Sequence, residues 1–304
     1  MNNVYDTLVI GCGPSGIGCA LKLHEAGIKV AIIEKSTPGG KINIAPRVDN
    51  YPGYKEIPGP DLAVAFFERV MNAGVEFIGD EVLSLTKDKD IFTLECKNET
   101  YYAKTIYIAS GTVERVLGLP NEEKLFAHGI SYCAVCDGHF FKGQDVLVIG
   151  GGNTALKEAI FLSNIVRHLY VIHRRNEFRG SLKLVEELKA KNNVEILTPY
   201  IPLEFIEKDG VLVGAKIQNK ETLEERVLDV TGAFPLVGQN PNSQFVRLDI
   251  LDERGNIPVD REMKTRVDGC FAGGDILPRD IRQIYLAEHD GVVASKSILN
   301  YLGK

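Results

Sequence analysis

Leu8-Val-Ile-Gly11-Cys-Gly13-Pro-Ser-Gly16-Ile-Gly-Cys-Ala-Leu-Lys-Leu-His-Glu-Ala-Gly27-Ile-Lys-Val-Ala-Ile-Ile33-Glu34 is the stretch from which the fold can be read. A short apolar strand runs straight into Gly-x-Gly-x-x-Gly. The apolar spacing of residues 17–27 predicts a helix, and Lys29-Val-Ala-Ile-Ile33 predicts a second strand. Each glycine has its own job: Gly11 makes the tight turn, Gly13 lets backbone approach a pyrophosphate, and Gly16 lets helix pack on strand. The helix N-terminus, led in by Pro14 and Ser15, offers free N–H groups and partial positive charge to that anion. Glu34 stands where an acid hydrogen-bonds a ribose hydroxyl. A glycine-rich loop alone is also compatible with a plain turn; strand, helix, strand and acid in register favour a dinucleotide site.

A second copy follows. Asp145-Val-Leu-Val-Ile149 is a strand, Gly150-Gly151-Gly152-Asn153-Thr154-Ala155 is the Gly-x-Gly-x-x-Ala variant, a helix is predicted to about residue 163, and Leu169-Tyr-Val-Ile172 is the next strand. Counted from the first glycine of each motif, His173 stands in the place of Glu34, Arg174 and Arg175 come next, and Arg179 is near enough to join them. An acid suits an unmodified ribose, whereas arginines grip a 2′-phosphate through a charge-assisted fork. The alternative for the arginines is a solvated basic turn. Two Rossmann-like copies predict an α/β protein holding a flavin dinucleotide and a nicotinamide dinucleotide.

Between them lies Cys133-Ala-Val-Cys136-Asp137-Gly138. A Cys-x-x-Cys pair can close into a disulfide, or it can be half of a zinc site. His128 and His139 would complete four zinc ligands, although structural zinc sites normally bring in a second, separated pair. Asp137, beside the pair, is placed to supply or accept a proton when a disulfide is reduced; its other reading is a helix or turn cap. Near the C-terminus, Gly269-Cys-Phe-Ala-Gly-Gly274-Asp275 reads as a strand running into a turn, and Arg282-Gln283-Ile284 opens a helix. Asp275 could reach a sugar or ribityl hydroxyl, or simply belong to a turn. The loop-rich stretches Pro38-Gly-Gly-Lys41 and Asp49-Asn50-Tyr-Pro-Gly53 are long enough to be functional.

The composition restricts the partners. At 304 residues, 44% apolar and 25% charged, the chain reads as a two-domain globular protein. A net charge of −6 provides no basic face for nucleic acid or an anionic membrane. No apolar run is long enough to span a bilayer. Met1-Asn-Asn-Val-Tyr-Asp6 lacks the features of a secretory signal, so the expected location is the cytoplasm. Six cysteines in such a chain are not a disulfide scaffold, and Cys12, Cys19, Cys96 and Cys270 read as small apolar core residues.

The whole chain resembles the low-molecular-weight, bacterial-type thioredoxin reductases. The resemblance rests on Gly11-x-Gly13-x-x-Gly16, Asn50-Tyr-Pro-Gly53, Ser131-Tyr-Cys-Ala-Val-Cys-Asp-Gly138, Gly150-Gly-Gly-Asn-Thr-Ala155, His173-Arg-Arg-x-x-Phe-Arg179, Gly238-x-x-Pro-Asn242 and Gly274-Asp275 with Arg282-Gln283, in family order. It implies a discontinuous FAD domain, 1–113 and 241–304, with an NADPH domain at 114–240 that carries the dithiol. The crossovers would lie in the turn-forming Gly111-Thr-Val113 and Gln239-Asn-Pro241. It further implies a homodimer, a rotation of one domain against the other, and thioredoxin as the disulfide substrate. Electrons would pass from NADPH through FAD to Cys133–Cys136, with Cys136 against the flavin and Asp137 as the proton donor and acceptor.

Two departures stand out. Lys41 replaces the usual Gln after the Gly-Gly pair, putting a charge near the flavin, and Glu288-His-Asp290 replaces a run of small residues. Rival readings are a same-fold reductase fed by ferredoxin, a dithiol oxidase using oxygen, and a redox-sensing flavoprotein without turnover. The intact Gly150 loop and Arg174-Arg175 argue for a nicotinamide site.

Overall fold

The computed structural model describes residues 4–45 and 47–304; Met1–Asn3, part of the amino-terminal stretch read above, lie outside the described residues. The chain divides into two compact units, Met1–Val113 with Asn240–Lys304, and Glu114–Gln239. Asn240 thus goes with the first unit, one residue earlier than the sequence boundary.

In chain order the first unit begins with β1 (Val4–Ile10), α1 (Pro14–Glu25), β2 (Val30–Glu34), α2 (Gly59–Ala73), β3 (Glu76–Gly79), β4 (Val82–Asp88), β5 (Ile91–Cys96) and β6 (Thr100–Ile108), with β7 (Thr112–Glu114) at the first crossover. The second unit holds α3 (Ala134–Asp137), β8 (Asp145–Ile149), α4 (Asn153–Ser163), β9 (His168–Ile172), α5 (Leu182–Lys189), β10 (Val194–Leu197), β11 (Tyr200–Lys208), β12 (Val211–Asn219), β13 (Glu225–Leu228) and β14 (Gly232–Pro235). After β15 (Gln239–Pro241) at the second crossover, β16 (Cys270–Ala272) and α6 (Ile284–Tyr301) return to the first unit.

Two helix starts differ from their expected places for local reasons. Helix α1 begins at Pro14, ahead of its apolar stripe, because proline's fixed φ suits the first helical position and its missing N–H costs nothing there. Helix α6 begins at Ile284, with extended Gln283 as its cap, so Arg282 and Gln283 lie just outside it.

The first unit's sheet runs β3-β2-β1-β6-β5-β4. The β3, β2, β1 and β6 strands are parallel; β4 and β5 join antiparallel, and β16 pairs parallel with the C-terminal half of β6. Strand alternation splits the core between the sheet's two faces. Val9, Ile32, Tyr107 and Phe271 face one way, in one cluster with Ile17 and Leu23 of α1 and Ala294 and Ile298 of α6. Leu8, Ile10, Ile33, Ile106 and Ile108 face the other way, toward Leu85, Phe92 and Leu94. Each such side chain removed from water contributes about 1.5–3 kcal/mol.

The second unit repeats the pattern with a parallel sheet β10-β9-β8-β14 and an antiparallel β11-β12-β13 sheet. Val146, Val148 and Val171 cluster with Leu156, Ala159 and Leu162 of α4, while Leu147, Ile149 and Ile172 cluster with Phe205 and Ile217. Strand order 3-2-1 around each glycine loop is the doubly wound arrangement, with a loop at the C-terminal end of the central strand where ligands bind. Among the described residues no helix is long and apolar enough to cross a membrane.

Candidate active site

In the first unit, Gly11 turns the chain at φ +105° and donates its N–H to the Ile33 carbonyl at 2.8 Å. A Cβ on Gly16 would lie 2.0 Å from the Gly11 carbonyl oxygen, so α1 and the loop can meet only without one. A Cβ on Gly13 would meet nothing within 4 Å, so the loop is open at the point assigned to the pyrophosphate. Glu34 accepts from the Cys12 N–H at 2.9 Å through one carboxylate oxygen and from the Ser36 N–H and hydroxyl through the other. A carboxylate has about four acceptor sites, which leaves capacity for a sugar hydroxyl. Beside it opens a cavity of about 220 Å³, lined in part by Gly11, Glu34, Val82, Ser110 and Asn242.

The remaining first-unit residues gather around the same loop. Ser15 shares a 2.6 Å hydrogen bond with the Tyr107 hydroxyl, and a Cβ on Gly274 would lie 3.0 Å from the Ser15 Cβ. Gly274 opens a short 3₁₀ turn, Gly274–Ile276, which carries Asp275. The Lys41 ammonium donates to the Thr112 hydroxyl at 2.8 Å and stands 3.9 Å from the Asp275 carboxylate. Asn50 donates to the Gln283 side-chain oxygen at 3.0 Å. Arg282 Nε is buried without a hydrogen-bond partner, a donor that a bound anion or polar ring edge would satisfy.

The second unit reproduces the register. Gly150 N–H reaches the Ile172 carbonyl at 3.1 Å as Gly11 reaches Ile33, so His173 occupies the position of Glu34. His173 is buried and stacked on Phe178, with ring centroids 5.3 Å apart and planes 15° from parallel. A Cβ on Gly151 would lie 2.4 Å from His173 Nδ1, which explains the extra glycine of this loop. Burial, then the charges of Arg179, Arg174 and Arg175, hold the imidazole below its ordinary pKa. Its Nε2 is buried with no hydrogen-bond partner. Arg179 and Gly180 return their N–H groups to the Gly151 carbonyl at 2.8 and 3.0 Å, and Asn153 Oδ1 accepts from Ser181 N–H at 2.8 Å. The space around Gly152 is open like that at Gly13, and Thr154 and Ala155 follow in the first turn of α4. Arg174, Arg175 and Arg179 are exposed and make no ion pair among the described residues.

Cys133 and Cys136 are joined as a disulfide, with Cys133 as the N-cap of α3 and its Sγ accepting from Cys136 N–H at 3.2 Å. His139 packs edge-on against Phe161, and among the described residues no three His, Cys, Asp or Glu side chains are grouped to hold a metal. Asp137 stands at the N-cap position of the short 3₁₀ turn Gly138–Phe141 without a side-chain capping bond. Its carboxylate accepts from the Ser131 hydroxyl at 2.5 Å, and Ser131 Oγ in turn accepts from Cys133 N–H at 3.1 Å.

The pyridine nucleotide-disulphide oxidoreductase family matches residues 5–291. The chain belongs to this family, among its thioredoxin reductases. A curated thioredoxin reductase from Peptoclostridium litorale is 37% identical over 310 residues, covering 99% of this chain and 98% of its own. A crystal structure of thioredoxin reductase from Streptococcus pyogenes superposes with a TM-score of 0.92 at 38% identity, covering 100% and 99% of the two chains. A ferredoxin-flavin thioredoxin reductase from Clostridium acetobutylicum matches at 28% identity and a TM-score of 0.54, covering 98% of each.

The two acids of the Glu288-His-Asp290 segment have defined structural roles. Asp290, buried in α6, accepts from Gly274 N–H at 2.8 Å and from Arg279 at 2.5 Å, and so fixes the turn that carries Asp275. Glu288 accepts from Tyr51 at 2.6 Å and from Arg69 at 2.9 Å, tying the loop after Asn50 to α6.

Sequence reasoning gave no role to three residues at the dithiol. Ser131 links Asp137 to Cys133 N–H. Buried Glu122 accepts from the N–H groups of Leu117, Gly118 and Leu119 and from the Tyr132 hydroxyl, anchoring the segment that leads into Cys133. Glu158 accepts from Ala134 N–H at 2.6 Å. The available signal for Glu158 was its place on the buried stripe of α4, between Ala155 and Leu162.

Proposed function

We propose that the chain is a thioredoxin-disulfide reductase that takes a hydride from NADPH, passes two electrons through FAD to Cys133–Cys136, and reduces the disulfide of thioredoxin. The observation that carries the reading is a Cys-x-x-Cys disulfide in the same unit as a dinucleotide loop, in a chain whose other unit holds a second such loop.

The unit built from 1–113 and 240–304 is the FAD domain. Gly11, Gly13, Pro14, Ser15 and Gly16 present the α1 N-terminus to the pyrophosphate, Glu34 takes the ribose, and Lys41, Asn50, Gly274, Asp275, Arg282, Gln283 and Ile284 surround the flavin end. The open face of Gly13 and the unpaired Nε of Arg282 support that fit. The other unit is the NADPH domain. Gly150, Gly152, Asn153, Thr154 and Ala155 hold the pyrophosphate, and His173, Arg174, Arg175 and Arg179 surround the 2′-phosphate. Three exposed cations beside a neutral imidazole with an unpaired nitrogen support a phosphate there.

A bound flavin supplies hydride acceptance from the nicotinamide and two-electron delivery to a disulfide. Asp137, oriented by Ser131, holds or releases a proton beside the sulfurs. Once reduced, one cysteine attacks the substrate disulfide and the other resolves the mixed disulfide. A homodimer in the cytoplasm belongs to the same reading. Exposed Val64 and Met71 on α2 are apolar area for a second copy, and the four cysteines outside the redox pair are unbonded, as in a reducing compartment.

The test is an anaerobic titration of the yellow protein with NADPH, followed by oxidised thioredoxin. Flavin absorbance should bleach with NADPH and return with thioredoxin. A flavin that bleaches only with reduced ferredoxin would instead support the ferredoxin-fed reading.

A further inference from the structure

Glu158 stands outside the motifs that define the two nucleotide loops and the dithiol, yet it touches the dithiol turn directly. It is half-buried on α4, and its Oε2 accepts from the N–H of Ala134, the residue that follows Cys133 and opens α3, at 2.6 Å. That N–H is among those that would otherwise favour negative charge on a sulfur at the start of the turn. Burial, opposed by the Ala134 N–H bond and reinforced by the nearby Glu114 carboxylate, pushes the Glu158 carboxyl up to about 7. Glu114 is the charged group that acts on it through space. Helix α3 brings Asp137, already engaged by Ser131; Lys157, adjacent on α4, is exposed; and His139 packs against Phe161 one turn on. Strands β8 and β9 and helix α5, which also pack on α4, bring no charge that acts on it among the described residues.

We propose that Glu158 is a positioning residue for the Cys133–Cys136 couple, holding the turn through Ala134 N–H and storing one of the two protons taken up when the disulfide is reduced. The inference rests on the dithiol reading above. The step balances as follows: the S–S bond breaks on receiving two electrons from the reduced flavin; one proton goes to a sulfur, the other to the Glu158 carboxylate, and the second sulfur stays as thiolate. A carboxylate bonded to the N–H of the residue after Cys133 and a thiolate on that pair disfavour one another's charge, so the two groups titrate as a coupled pair. Neutralising Glu158 keeps a nucleophilic sulfur available for exchange at neutral pH.

The test uses the FAD-loaded full chain, reduced with dithiothreitol, and follows the rate of iodoacetamide alkylation against pH. Cys12, Cys19, Cys96 and Cys270 have their pKa values raised, chiefly by burial, and stay out of that titration. Glu158→Gln keeps an acceptor for Ala134 N–H but removes the charge, so the midpoint should fall by about one pH unit. Glu158→Asp should bring it back toward wild type. An unchanged midpoint in Glu158→Gln overturns the proposal. A measurement on protein with Glu158 intact guards against a variant that fails to fold. Reduction-induced infrared difference spectra should show a carboxylic-acid band that persists in Asp137→Asn; its absence there overturns the proposal equally. If the wild-type cysteine pair takes no electrons from NADPH, the reductase reading itself fails, which is a separate outcome.

Discussion

Gly13→Ala separates folding from cofactor binding. Gly13 precedes α1 at φ −87° and ψ −177°, a conformation any residue adopts, and a Cβ built there meets nothing within 4 Å. The flavin-free variant should therefore match wild-type stability to within about 0.5 kcal/mol, or gain slightly, since alanine narrows the unfolded ensemble. The same methyl would stand in the space through which a pyrophosphate reaches the α1 N–H groups. Losing one charge-assisted hydrogen bond costs about 1.5–3 kcal/mol, a roughly 10- to 150-fold rise in the FAD dissociation constant. Gly16→Ala is the opposing control: its Cβ would sit 2.0 Å from a backbone oxygen that cannot step aside, so the fold itself should fail. The chain has no tryptophan. Circular dichroism of the flavin-free protein therefore reads unfolding, and quenching of flavin fluorescence reads binding. Wild-type FAD affinity in Gly13→Ala would refute the assignment of this loop. So would a loss of stability as large as that in Gly16→Ala.

The double variant Arg174→Ala/Arg175→Ala should lose most of the preference for NADPH over NADH, measured as the ratio of kcat/KM values; equal use of both by the wild type would contradict a 2′-phosphate site. Cys133→Ser and Cys136→Ser should each abolish thioredoxin reduction while leaving NADPH-to-flavin electron transfer intact in stopped-flow absorbance, because hydride transfer needs only the two nucleotide sites. Arg167 binds Asp145 through bonds of 2.8 and 2.7 Å and holds that carboxyl below its ordinary 3.8. A folded-state pKa below the unfolded value adds stability above the unfolded pKa and loses it as pH falls through the folded one. Asp145→Asn should thus lower the urea midpoint at neutral pH, with the gap closing in acid; a gap that persists there would mean the asparagine perturbs packing.

The strand–loop–helix–strand units were legible because local chemistry and global fold agree at them. The apolar alternation, the glycines and the acid or base after the second strand all serve the same doubly wound pairing. The dithiol's surroundings were less legible because they are assembled across long separations. Glu158 lies 24 positions from its partner Ala134, and only a fold that lays α4 against α3 joins them. Tyr51 and Glu288 are 237 positions apart, and no local pattern announces their bond. The acids at 288 and 290 look alike in the sequence, yet Asp290 points into the core at Gly274 and Glu288 reaches across to Tyr51 and Arg69. Helix phase separates them, but what waits on each side is tertiary information.

The internal duplication also shows how the residue after the second strand constrains its own loop. In the first copy the acid's oxygen accepts from the N–H of the residue after the first glycine, and that residue keeps a side chain, the buried thiol of Cys12. In the second copy an imidazole fills the acid's place and lies where the corresponding Cβ would be, so only glycine fits at 151. The ring is held there by its stack on Phe178, while the backbone of Arg179 and Gly180 closes on Gly151. Exchanging Glu34 for a basic residue would therefore not by itself turn the first loop into the second. The position after the first glycine would have to shrink, and an aromatic partner would have to arrive from the following loop. On the proposed NADPH reading, the choice of nucleotide would be distributed over the loop glycine, the ring and its stacking partner, with the exposed arginines contributing charge to a shape already set beneath them.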